Sequence, residues 1–66
     1  MDFIFANSYI ELKSGHRIYL LETYDELKQK MNDSSSTITV HEIDFFGLWS
    51  EIRTYNKSNI SYYGSN

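Results

Sequence analysis

The residues able to move a proton in this 66-residue chain are two histidines and a scatter of carboxylates. His41 and Glu42 are neighbours in TITVHEI, whose alternation reads as extended chain. Successive side chains of a strand point to opposite faces, so these two cannot easily share one proton. His41 reads as a cross-strand packing or hydrogen-bonding residue before it reads as a base. His16 stands beside Gly15 and reads as a solvated turn residue. Glu42 and Asp44, at i and i+2, share a strand face, with Glu51 opposite if the flanking strands pair. Close carboxylates can divide acid and base roles, but a solvated charged rim is the more ordinary outcome. The rest of the catalytic repertoire is missing from the sequence: no cysteine nucleophile, no H-E-x-x-H and no glycine-rich phosphate loop. Two histidines without cysteine also fall short of a dedicated zinc site. The expectation is a non-enzymatic chain with no catalytic residues, metal or cofactor.

A different signal lies in EIDFFGLWS, residues 42–50. If strands 37–43 and 48–55 pair, Asp44-Phe45-Phe46-Gly47 connects them, and connections run over the surface. Trp49 then shares its face with Glu51, Arg53 and Tyr55, which reads as the charged face. Leu48 shares its face with Ile52, which reads as the core side. Trp49 and at least one of Phe45 and Phe46 are expected to be exposed. Two readings stand. The rings form a small core under Phe3 and Phe5, or they form a partner-binding surface. In the second reading Phe45, Phe46 and Trp49 are anchors, and Glu42, Asp44 and Glu51 complement a basic partner.

Size sharpens that question. A chain this short buries only about 60% of the surface its unfolded form exposes, and such chains usually need further support. Disulfides are excluded by the absence of cysteine, which leaves oligomerisation, with a dimer the first expectation. The net charge of −3 disfavours nucleic acid, whose phosphates require a basic face. Lys28, Lys30, Arg53 and Lys57 are interleaved with Glu26, Asp33 and Glu51. No secretory signal and no membrane-length apolar run is legible, so the chain reads as cytosolic.

The positioning elements follow from periodicity. Residues 3–22 read as a β-hairpin, with Ile10 and Leu12 on one face and Ser14-Gly15 as the turn. Residues 23–32 read as a helix opened by a Thr23-x-x-Glu26 capping box, with Tyr24, Leu27 and Met31 on one face. Residues 37–63 supply the remaining sheet, through a polar turn at 56–59, and GSN is a frayed tail. The expectation is one α+β domain of order β-β-α-β-β-β, a small antiparallel sheet or partly open barrel.

In residues 8–31, Ile10, Leu12, Gly15, Ile18, Leu20, Glu22 and the Asp25–Leu27 triplet form a strand, glycine turn, strand and capped helix. This unit resembles that of small Gram-positive and phage-encoded proteins similar to the flagellar FlbD family. TITVHEI and EIRTYNKSNISYY resemble the other half of such proteins, with the halves in swapped order. The polar loop of the pattern is replaced here by DFFG and LW. The resemblance implies a small sheet module, often oligomeric and often a phage accessory protein, without catalytic residues. The functional expectation is therefore a protein-binding module. As a phage or prophage anti-defence protein, it would inhibit a host or defence enzyme by steric blocking. The alternative is a self-assembling structural or small-ligand module in which Tyr19, Tyr55, Tyr62 and Tyr63 line a cleft.

Overall fold

A computed structural model describes residues 5–44 and 49–66 of the chain. The elements are β1 (Ser8–Leu12), β2 (Arg17–Leu20), α1 (Tyr24–Asn32), β3 (Thr37–Ile43), β4 (Ser50–Asn56), a 3-10 turn (Lys57–Asn59) and β5 (Ile60–Ser65). The α+β class holds, and the five strands form one antiparallel open sheet of order β4-β3-β2-β1-β5. The 3-10 turn stands where a simple polar turn was expected.

The β1–β2 hairpin turns at Gly15, whose φ of +92° suits a residue without a Cβ. The helix starts where the capping box places it. The Glu26 N–H donates to the Thr23 hydroxyl at 3.2 Å, and the Thr23 N–H donates to the Glu26 carboxylate at 3.0 Å. Leu27 is the buried residue of α1 and joins Ile10, Ile18, Leu20, Ile38 and Val40 in the core, with Met31, Tyr55, Ile60 and Tyr63 packed against them.

The sheet must curl. Laid flat, β4 and β5 would lie about 19 Å apart, four spacings of about 4.8 Å. Yet only a 3-10 turn joins them, and that turn rises about 2 Å per residue. The strand ends are therefore drawn together at this corner. Hydrogen bonds hold it, from the Lys57 N–H to the Ser36 carbonyl at 2.9 Å and from the Lys13 N–H to the Asn59 carbonyl at 2.8 Å.

Three expectations are corrected. The first strand begins at Ser8, and the described residues before it, Phe5–Asn7, are not strand. The fourth strand begins at Ser50. The terminal GSN is not frayed: Ser65 pairs with Ser8, Gly64 with Tyr9, and Asn66 bonds the Asn7 and Ala6 carbonyls.

Candidate functional site

β3 and β4 pair along their full lengths, with Ile38 opposite Tyr55, Val40 opposite Arg53 and Glu42 opposite Glu51. Directly opposed residues share a sheet face. Ile38 and Val40 are core residues, so the face carrying Tyr55, Arg53 and Glu51 continues the core side. Ile52 lies opposite His41 on the outer face and is 69% exposed. The expected face assignment of β4 is thus reversed, because Ile52, its one aliphatic residue, does not face inward.

The hairpin closes where the Asp44 N–H donates to the Trp49 carbonyl at 2.9 Å. The Trp49 N–H in turn donates to the Asp44 carboxylate at 3.4 Å. Trp49 is 62% exposed, as its place in the sequence suggested. Phe45 and Phe46 lie outside the described residues, as do Phe3, Gly47 and Leu48.

The three acidic residues expected around these rings have different circumstances. Glu51 is exposed and paired with Arg53 at 2.8 Å on the same strand. Asp44 closes the hairpin. Glu42 is half-buried and accepts the Tyr55 hydroxyl hydrogen bond, so it is engaged within the fold. Burial first, and then the Glu42 carboxylate, push the Tyr55 phenol well above its ordinary range. Glu42 and Glu51 do stand opposite one another, as the spacing suggested.

Sequence reasoning missed Glu22. Its carboxylate is buried and accepts the backbone N–H of His41 through both oxygens, at 2.9 and 3.0 Å. It also lies 2.8 Å from Nδ1 of His41. His41 is therefore the hydrogen-bonding residue expected of it. A carboxylate that orients a histidine is half of a proton-transfer device. Here the ring is about half exposed on a strand face, beside Ile52.

The four tyrosines proposed for a ligand cleft divide between two faces. Tyr55 and Tyr63 pack against the core. Tyr19 and Tyr62 both contact the outer Tyr9, with ring centroids 6.3 and 6.1 Å from it, and the Arg17 guanidinium lies 4.1 Å from the Tyr9 ring centroid. A shallow open cleft of about 370 Å³ runs between α1 and β5, lined by Tyr24, Met31, Ile60, Ser61, Tyr62 and Tyr63. Among the described residues no group of three or more histidines and carboxylates could hold a metal ion, and no helix is long and apolar enough to cross a membrane. No family model, no curated protein and no solved structure matches the chain.

Proposed function

We propose that this chain is a small non-enzymatic protein-binding module whose working surface is the β3–β4 hairpin with the edge of β4, which no other strand covers among the described residues. One observation carries the reading. Trp49, just before a seven-residue edge strand, and Ile52, within it, are 62% and 69% exposed. An edge strand presents unpaired N–H and C=O groups to any chain that can lie beside it. A tryptophan at its entrance supplies a large apolar anchor. Asp44 and Glu51 lie beside that anchor and suit a partner with basic side chains at its margin. The action proposed is steric: the module occupies another protein's surface. In the phage accessory role that the resemblance implies, that protein belongs to the host or its defences.

The test is affinity capture with three baits: wild type, Trp49→Ala and Tyr62→Ala. Tyr62 is exposed on β5, at the opposite end of the strand order. A partner of the hairpin should be held by wild type and Tyr62→Ala and lost with Trp49→Ala, while circular dichroism stays unchanged. Equal retention by all three baits, or unfolding of Trp49→Ala, would overturn the reading.

A further inference from the structure

The edge of β4 is self-complementary, and we infer that in the isolated protein it is covered by a second copy of this chain, paired antiparallel through β4 about a two-fold axis at Ile52, which a foreign partner must displace. The inference rests on the hairpin being a binding surface and names the occupant.

The ladder fixes which backbone groups are available. In an antiparallel pair, hydrogen-bonded and non-hydrogen-bonded positions alternate. Asp44 bonds Trp49, and Ser36 bonds Lys57. On the same alternation the hydrogen-bonded positions of β4 are Glu51, Arg53 and Tyr55. The N–H and C=O groups of Ser50, Ile52 and Thr54 therefore turn away from β3, toward the free edge. A second β4 can bond there only in registers that set outward-facing residues opposite one another.

Centring on Ile52 is such a register. It places Ile52 against Ile52 of the copy and Ser50 against Thr54. On the other face Glu51 meets Arg53 twice, once in each direction, and Trp49 meets Tyr55. Centring on Glu51 or Arg53 instead would oppose two like charges. Opposite charges facing across strands stabilise, and like charges destabilise. The Glu51–Arg53 ion pair of one strand, at 2.8 Å, would become half of a four-membered charge cluster. Ile52, exposed at 69%, would be covered by its own counterpart. A two-fold contact is isologous, so one patch serves both copies.

Light scattering on a sizing column tests this for wild type, Glu51→Arg and Arg53→Glu, each checked by circular dichroism and loaded at about 100 μM, where micromolar association is visible. The wild type should run as a dimer. Each variant turns both Glu51–Arg53 contacts into like-charge contacts and should lose about tenfold or more in self-affinity, the scale of two such reversals. An equimolar mixture of the two variants should regain the dimer. One copy is then basic at both positions 51 and 53 and the other acidic at both, so every cross-strand pair joins opposite charges. A second arm uses the absence of native cysteine. Ile52→Cys should oxidise to a disulfide-linked dimer, since directly opposed Cα atoms about 5.5 Å apart fall within disulfide reach. Ser50→Cys and Thr54→Cys should cross-link only when mixed. A wild-type dimer that both charge variants keep, or a mixture that does not reassociate, overturns this register while leaving the hairpin a binding surface. A monomeric wild type overturns the second copy altogether, and the hairpin reading then stands or falls on the Trp49-dependent capture.

Discussion

Where β2 ends at Leu20, the backbone N–H of His41 on the neighbouring strand runs out of ladder, and the Glu22 carboxylate accepts it instead. Ser8 fixes the turn from below, its hydroxyl donating to the Glu22 carbonyl at 2.6 Å. The side chain thus extends the sheet by one rung. Leaving a buried donor without an acceptor costs about 1–3 kcal/mol, and the His41 N–H is partly buried, so Glu22→Ala should fall near the middle of that range. For a small domain this lowers the melting temperature by about 10 °C. His41→Ala keeps the backbone N–H and loses only a ring that is half in water, so it should cost about 1 kcal/mol or less. Urea denaturation of both variants separates the cases. Equal costs would mean that the side-chain pair, and not the backbone cap, holds this corner. Sequence could not reveal Glu22 because the partner group is a main-chain N–H on a strand 19 residues away, which carries no side-chain signature.

At the scale of elements, legibility followed locality. The capping box, the Leu27 face of α1 and the Gly15 turn are set by residues within a few positions of one another, and all three are present as read. The orientation of β4 and the extent of β5 are set by distant partners. SEIRTYN has one aliphatic residue, and only its register with β3 reveals that Ile52 points outward. Gly64 and Ser65 have little strand preference of their own, yet β1 holds them in the ladder. Gly64 is needed there for space. A Cβ at this position would lie 2.8 Å from the Tyr9 hydroxyl and 2.9 Å from Cζ of its ring. That ring is held in turn by Tyr19, Tyr62 and Arg17. Gly64→Ala should therefore destabilise by about 1–3 kcal/mol, as overpacking does. The same substitution on a Tyr9→Ala background should cost much less. A double-mutant cycle by denaturation reads the coupling; additive effects would mean that Tyr9 moves aside freely.

For the whole molecule the decisive feature is the corner where the curled sheet meets the helix, and the candidate surface depends on it. Trp49 was legible as exposed because it alternates in step with the charged Glu51 and Arg53. The outward Ile52 and the self-complementary edge were not, because both depend on which strand lies at the margin of the sheet. The corner is pinned by charge. The Lys57 ammonium donates to the Asp33 carboxylate at 2.7 Å and to its carbonyl at 2.9 Å, tying the 3-10 turn to the C-terminal end of α1. Glu26 closes the other end of the helix through the capping box. Both carboxyls are held below their ordinary values of 4.5 and 3.8: Glu26 chiefly by the Thr23 N–H, Asp33 chiefly by the Lys57 ammonium and then the Ser35 N–H. A depressed folded-state pKa contributes stability that is fully present above the unfolded value and is lost as pH falls through the folded one. The melting temperature should therefore hold from neutral pH down to about pH 5 and fall below about pH 4.5 as the two groups protonate. A Glu26→Gln, Asp33→Asn variant should melt lower at neutral pH, decline less steeply in acid, and converge on the wild type at the acid end. Thermal melts across that range decide it. A variant whose acid decline parallels that of the wild type would place the acid sensitivity in other carboxylates and leave the two ends of α1 as bystanders.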